Sequence, residues 1–528
     1  MKAKKSLGQN FLIDENVINN IVKEIGILPD SLVVEIGPGQ GALTKLLVKE
    51  AKNVVAYEID KDCIDILERE IKTSNLDLIN KDILKANIKE DLSKYNYKHL
   101  YIVGNLPYYI TTPIMLKLIH DNLPVDKYVF MVQEEVADRY TSLNNNKEYN
   151  ALTVYLNYLF ETKKCFVVKN TSFNPIPKVS SSVISLAKKE INKKPLNEAY
   201  FYEINKLIFR QKRKTLANNL KDSFSKDIID EVYTRLNYKS GIRAEELSID
   251  DIIKLSDTLF ILSNVYEEAH SKINLTLRVF DEEKGYHNIN SLMVNLKLHD
   301  ILVFVKSKED KVISNIDIEN NIILKTIKLF KETFNIKEGV TVYLVKNIPL
   351  SAGLAGGSSD SSATLRGLNK LFNLNKSLDE LASLANKLGS DNNFCLHQKT
   401  AICRHFGEVL DIKDLNINKK VLLLKPSFGL STKDIYTNYQ FEERPDLTDQ
   451  CFKALEEGKD FTPFLFNDLE KPALLNKEYK DFVLKLNKLK VKTYQSGSGP
   501  TRFCFDAREK ERLEKELKDV LIIETTLM

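Results

Sequence analysis

The sequence predicts a multidomain chain: a doubly wound α/β domain, a small helical subdomain behind it, and a second mixed domain built around a glycine- and serine-rich loop. Three observations predict it. The 528 residues exceed what one hydrophobic core usually organises, because chains beyond about 250–300 residues tend to split. Strand-like and helical runs alternate through the first third of the chain. Near Leu262 the pattern starts afresh, and a second glycine loop follows downstream.

Residues 32–36, LVVEI, form a short apolar, β-branched run. GPGQGAL turns the chain into LTKLLVKEAK, whose apolar positions recur at helical spacing. A second strand, NVVAYEID, ends on Glu58 and Asp60, and LDLINKDIL ends on Asp82. HLYIVGNLPYYITTPI then leads a further strand through a proline-containing loop into a helix. Strands alternating with helices imply a parallel sheet with ligands at the carboxyl ends of its strands. After Pro195 the pattern is helical, through FYEINKLIFRQKRKTLANNL and SKDIIDEVYTRL to SIDDIIKLSDTLFIL. SNVYEEAHSKINLTLRVF then reads as a new strand.

Hydrophobic residues at 43% and charged residues at 28% exclude a disordered chain. The basic start, MKAKKSLGQNF, leads into no apolar signal region, and no apolar run approaches the roughly 18 residues of a membrane span. A cytoplasmic protein with no membrane partner is expected. The six cysteines are scattered without a CxxC pair, which predicts neither a zinc cluster nor a disulfide framework, and no metal ligand is assigned. Net charge is only +4, yet Ala151–Lys214 holds 13 Lys or Arg against 4 Glu and no Asp. Such a window is either a solvated face or a surface that tracks phosphates.

The turn Gly37-Pro-Gly39-Gln-Gly41 lets the backbone pass close to a ligand. About 20 residues on, Glu58 ends a strand where a carboxylate can accept from ribose hydroxyls. The third glycine of the dinucleotide pattern is missing, which argues for a nucleoside ligand without a pyrophosphate; S-adenosylmethionine fits. Asn105-Leu106-Pro107-Tyr108 follows the next strand. A side-chain amide oxygen and a backbone carbonyl there can accept from the amino group of an adenine, whose N6 lone pair is otherwise delocalised into the ring. Tyrosine offers a stacking face for a base taken out of its stack.

On these residues, together with Gly8-Gln-Asn-Phe-Leu12, FNPIPKV at 173–179, FRQKRKTLANNL and RAEELS at 243–248, residues 1 to about 262 resemble the small-subunit ribosomal RNA adenine dimethyltransferases. The resemblance implies that Asn10, Leu12, Gly37, Glu58, Asp82 and Asn105 contact the methyl donor. It implies that Asn105, Pro107 and Tyr108 form the methyl-transfer loop, and that Tyr108 and Phe173 sandwich the target base. Lys178, Arg210, Lys212, Arg213 and Lys214 would grip phosphates of 16S rRNA, read as shape; the family dimethylates two adjacent adenines near its 3′ end. The chain departs from the pattern at Asn150, Ser180 and Lys212. A large-subunit rRNA methyltransferase or a non-methylating assembly factor is the competing reading of this half.

Farther on, Pro349, Leu350, Ser351, Ala352, Gly353, Leu354, Ala355, Gly356, Gly357, Ser358 and Ser359 form a loop that leads into a helix, DSSATLRGLNKLF. Backbone N–H groups and the positive end of a helix make a cradle for a triphosphate. The G-K-[ST] ending of a Walker A loop is absent. The loop resembles that of the GHMP kinases, a two-lobed α+β family. With Ala269–Leu277, Gly285-Tyr286-His287, Leu388–Asp391, Asn467–Glu470 and Ser496–Thr501, the second half resembles 4-diphosphocytidyl-2-C-methyl-D-erythritol kinases of the non-mevalonate isoprenoid pathway. The resemblance implies Lys272 and Asp391 as the catalytic pair, with Asp391 as base for the substrate hydroxyl. It implies ATP in the loop with Mg²⁺, and Asn274, Tyr286 and His287 around a cytidine diphosphate substrate. This half departs from the pattern at Asn392-Asn393, at Arg404–Phe406 and at Arg502; a kinase fold acting on another alcohol, or on none, is the competing reading. The expected division is a Rossmann-like methyltransferase domain at 1–190, a helical rRNA-binding subdomain at 191–262, and kinase lobes at 263–410 and 411–528.

Overall fold

A computed structural model describes residue 4 and residues 9–283, 286–415 and 417–528. Gly8 of the first motif and Gly285 of the Gly-Tyr-His motif lie outside the described residues, as does the side chain of Tyr286. The chain divides into two compact units, Met1–Leu259 and Phe260–Met528. The break therefore falls in the last turn of the helix Ile249–Leu262. No helix among the described residues is long and apolar enough to cross a membrane.

The first unit holds a seven-stranded sheet ordered Leu76–Asn80, Asn53–Glu58, Ser31–Ile36, His99–Asn105, Lys127–Gln133, Ser181–Lys188 and Phe160–Val168. The first five strands are parallel and the last two join antiparallel. Ser31–Ile36 is buried along its whole length, as a strand with both faces covered must be, which explains its unbroken apolar run. The chain runs outward from it to Asn53–Glu58 and Leu76–Asn80, then crosses back to His99–Asn105. That reversal makes a topological switch point, the crevice where ligands of open α/β sheets bind. Gly37 and Asn105 end the two strands that flank it. Asn150, one departure from the family pattern, caps the helix Ala151–Leu159 by accepting from the N–H groups of Leu152 and Thr153. Beyond the sheet come the helices Glu198–Ile208, Leu216–Leu220, Lys226–Leu236 and Ile249–Leu262.

The second unit carries an eight-stranded mixed sheet and a four-stranded antiparallel one. The long strand Tyr286–Ser307 runs through the larger sheet and pairs with Val265–Asn274, Thr276–Glu283, Gly339–Val345 and Ala401–His405. The helix Gly356–Leu371 packs its Ala363, Leu365 and Leu368 into the core beneath. The expected lobe boundary at 410 cuts the strand Val409–Ile412, which pairs with Ala401–His405 in the larger sheet. Phe466–Asn467 returns to that same sheet beside Thr276–Leu277.

Candidate active sites

In the first unit the ends of Ser31–Ile36, Asn53–Glu58 and His99–Asn105 open onto one cavity. Asn10, Leu12, Gly37, Glu58, Asp82, Asn105, Pro107 and Tyr108 all line it. Glu58 is 6% exposed. Its carboxylate accepts from the N–H of Gly39 at 3.0 Å and of Asp60 at 2.9 Å, so it fixes the glycine turn from below. Burial lifts its carboxyl above the ordinary range, against those two N–H groups. Gly39 suits the turn, with φ +55°, and also the packing, because a Cβ there would lie a tight 3.0 Å from the ring of Phe11.

Two side-chain hydrogen bonds tie the segment 9–12 over the cavity. Gln9 Nε2 donates to Asp60 at 2.8 Å, and Asn105 Nδ2 donates to the Asn10 carbonyl at 3.0 Å. The second bond orients the Asn105 amide and leaves its oxygen as an acceptor. Asp82 accepts from the N–H of Leu84 at 3.0 Å through one oxygen. Tyr108 exchanges a hydrogen bond with Ser181 at 2.7 Å, which holds its ring at the cavity.

Three details of the cavity differ from or add to the sequence expectation. The Pro107 carbonyl is taken, since it accepts from the Ile110 N–H and the Thr111 hydroxyl, both at 3.1 Å. The carbonyl next to Asn105 in the chain is that of Leu106, which precedes the proline ring. Phe173 corrects the expected sandwich. It sits 1% exposed in the core with Leu12, Ile18 and Val183, because the short pairing of Phe11–Leu12 with Phe173–Asn174 turns its side chain inward; the aromatics on the cavity besides Tyr108 are Phe11, Tyr57 and Tyr109, of which Tyr109 is 61% exposed. Glu35 was missed, although an acid inside the apolar run LVVEI is a signal. It lines the cavity, is pushed to about 8 by burial, and has one oxygen without a hydrogen-bond partner.

Lys178, Arg210, Lys212, Arg213 and Lys214 are all exposed. Lys212 donates to the Lys147 carbonyl, and no acid among the described residues pairs with these five.

In the second unit Lys272, 3% exposed, reaches Asp391 at 3.3 Å and donates to Asn274 at 2.8 Å. Asn274 in turn donates to Ser291 at 2.8 Å, which fixes the lysine's polar neighbour. Lys272, Asn274, Asp391, His287 and residues 349–357 line one cavity. The loop is held by Ala352 and Leu354 in the core and by an αL residue, Ala355, at the start of the helix Gly356–Leu371. An alanine at positive φ costs backbone strain that the surrounding packing must offset. A Cβ on Gly353 would lie 2.6 Å from Gly499 Cα, so the loop and the Ser496–Thr501 turn cross backbone to backbone. Asn467 secures that turn by donating to the Gln495 and Gly497 carbonyls.

Ser358 and Ser359 do not line the cavity. Ser359 is buried and donates to the His270 carbonyl at 2.6 Å, so its hydroxyl serves the fold. His287 lines the cavity and lies face to face with Tyr436, ring centroids 5.6 Å apart; Tyr436 was not foreseen. The departures from the family pattern have structural work. Asn392 donates to Ser361 and Asn393 to the Glu408 carbonyl. Arg502, 4% exposed, reaches Glu470, Tyr479 and Thr493. Among these positions only Phe406 lines the cavity.

Beneath the loop, Lys346 pairs with Asp300 and, at 2.7 Å, with Asp360. All three are buried, and burial raises the Asp360 carboxyl well above the usual range. Asp300 also accepts from the N–H groups of Asn347 and Ile348, just ahead of Pro349. Lys346→Met would leave two carboxylates buried without their cation. It is expected to destabilise the unit by about 3–5 kcal/mol, read from urea unfolding of the full chain by circular dichroism.

A sequence model of the family described as "Ribosomal RNA adenine dimethylase" matches residues 1–260, and one described as "GHMP kinases N terminal domain" matches residues 321–399. Ribosomal RNA small subunit methyltransferase A of Mycoplasma capricolum is 43% identical over 263 residues, which span 49% of this chain and 99% of that protein. Its counterpart from Listeria welshimeri is 44% identical over 267 residues, 48% of this chain and 90% of that protein. Among solved structures, a 4-(cytidine 5'-diphospho)-2C-methyl-D-erythritol kinase is 29% identical with a TM-score of 0.44, covering 50% of this chain and 98% of that one. A dimethyladenosine transferase from Plasmodium falciparum is 24% identical with a TM-score of 0.40, covering 48% of this chain and 96% of that one.

Proposed function

Because the first half of the chain belongs to the ribosomal RNA adenine dimethylase family and the second half carries a GHMP kinase N-terminal domain, we propose that the protein is a two-headed enzyme. One head methylates N6 of adjacent adenines near the 3′ end of 16S rRNA from S-adenosylmethionine. The other phosphorylates the 2-hydroxyl of 4-diphosphocytidyl-2-C-methyl-D-erythritol from ATP.

The methyl-transfer reading rests on Asn105 standing beside Gly37 and Glu58 in one cavity. The cavity wall carries Glu58 and Asp82 beside one cation, Lys81, while burial favours the protonated form of Glu35; the two remaining carboxylates suit a donor with a sulfonium and an ammonium group. S-adenosylmethionine would supply the activated methyl. Asn105 Oδ1 and the Leu106 carbonyl would accept from the adenine amino group and draw its lone pair out of the ring, while Tyr108 stacks on the base. Transfer of label from the donor to small subunits lacking the modification, yielding N6,N6-dimethyladenine, tests this head; no label in RNA would refute it.

The unpaired, exposed cations at 178 and 210–214 support an RNA face. Reversing charge at Arg213 and Lys214 together is expected to weaken RNA binding and to flatten its log–log salt dependence by about 1–2. Affinity for the methyl donor should stay unchanged. An unaltered salt slope would remove both residues from the RNA face.

The kinase reading rests on the Lys272–Asp391 pair at 3.3 Å beside the glycine loop. Asp391 would take the proton of the substrate hydroxyl. Lys272 would steady charge on the transferred group. His287 over Tyr436 offers a stacked aromatic surface for the cytosine. Asp360 is committed to Lys346, so Mg²⁺ would arrive held by the triphosphate rather than by a carboxylate cage in the loop. Mg-ATP with the diphosphocytidyl substrate and purified protein tests this head; ATP binding without turnover would favour another alcohol.

A further inference from the structure

We propose that Glu268, His270 and His299 form a binding site for a zinc-class divalent cation, with three protein ligands and a fourth position open to solvent. The site is separate from the kinase residues and follows from strand geometry. Glu268 and His270 lie two residues apart on Val265–Asn274 and share a face. His299 stands directly opposite His270 across the antiparallel pairing. The neighbouring Glu267 points to the other face, where it pairs with Arg366 at 2.8 Å and Lys370 at 2.6 Å.

Each imidazole is already aimed. His270 Nδ1 lies 2.9 Å from the Leu296 carbonyl and His299 Nδ1 2.7 Å from the Lys297 carbonyl. A carbonyl can only accept, so both Nδ1 atoms carry the proton and both Nε2 atoms present lone pairs when the rings are neutral. This carbonyl–imidazole arrangement is how metal-bound histidines are oriented. The Nε2 atoms converge on the Glu268 carboxylate, at 3.3 Å from His270 and 3.9 Å from His299. All three ligand atoms lie within 4.8 Å of one another. A tetrahedral ion with bonds of about 2.0–2.1 Å needs its ligands about 3.3–3.5 Å apart, so a small inward rotation of half-buried His299 closes the set. The strand beneath is held, since the Glu268 carbonyl accepts from Arg366 at 3.0 Å and also from Gln398.

Two imidazoles and one carboxylate select zinc-like ions over magnesium, which prefers an all-oxygen octahedron. The competing account is an ion pair between Glu268 and protonated histidines. The ion would also brace the strand that bears Lys272, because the His270 carbonyl receives the Ser359 hydroxyl from the end of the phosphate loop.

The test is titration of the chelator-stripped full chain with Co²⁺, followed by Zn²⁺. One equivalent of Co²⁺ should bind with the intense visible bands of a four-coordinate ion, Zn²⁺ should displace it, and millimolar Mg²⁺ should not. His299→Ala and Glu268→Gln should each weaken binding by about tenfold or more. His299→Cys should retain binding and add a thiolate-to-cobalt charge-transfer band. Absence of Co²⁺ binding by wild type overturns the proposal. Equal affinity and spectra in wild type, His299→Ala and Glu268→Gln would overturn it too, by placing the ion on other groups.

Discussion

Asp391→Asn is expected to lower kcat for phosphoryl transfer by roughly 10²–10⁴, the worth of a positioned general base. The substitution is nearly isosteric, and the Asp391 side chain makes no capping bond to the helix Asn392–His397 that follows it. Structural cost should therefore be small. What changes is chemical: the amide cannot take a proton, and Lys272 loses the anion 3.3 Å away while keeping Asn274. KM for ATP should move little, since the loop 349–357 is held by Ala352, Leu354 and the Gly353–Gly499 crossing rather than by Asp391. Methyl transfer should proceed as in wild type. An unchanged kcat would show that Asp391 is not the base.

The two glycine turns, Glu58, the Asn105–Tyr108 loop and the Lys272 and Asp391 motifs were legible in the sequence because each depends on local chemistry. A backbone that approaches a ligand needs glycine, and a strand end at a switch point needs a polar tip. The fate of Phe173 was not legible, because a two-residue strand pairing from the distant segment 11–12 decides it. Likewise the Pro107 carbonyl is spent on Ile110 and Thr111, a matter of how the next helix starts. Lys346 lies 46 residues from Asp300 and 14 from Asp360, and the three meet where separate elements pack. The departures at Asn392, Asn393 and Arg502 looked like damage to a site. Packing turns them into amide and guanidinium contacts that hold the surrounding elements, a role no motif reports.

Asn105→Ala is expected to lower methyl transfer by about 10²–10³, the loss seen when one preorganised hydrogen-bonding group is removed from a reacting centre. The amide has two duties here. Its oxygen is the side-chain acceptor for the adenine amino group, and without it the N6 lone pair stays delocalised as the methyl approaches. Its nitrogen donates to the Asn10 carbonyl at 3.0 Å, so alanine also frees the segment over the donor cavity. One such bond is worth about 0.5–1.5 kcal/mol, which sets donor affinity to fall by a few-fold up to about tenfold. The two effects separate by measurement: calorimetric titration with the donor reports the tether, and single-turnover methylation at saturating donor reports the acceptor. Gln9 still ties the segment to Asp60, so the cavity should persist and the variant should bind donor while methylating slowly. Wild-type turnover at saturating donor would show that Asn105 only holds the segment and that the amino group is activated elsewhere.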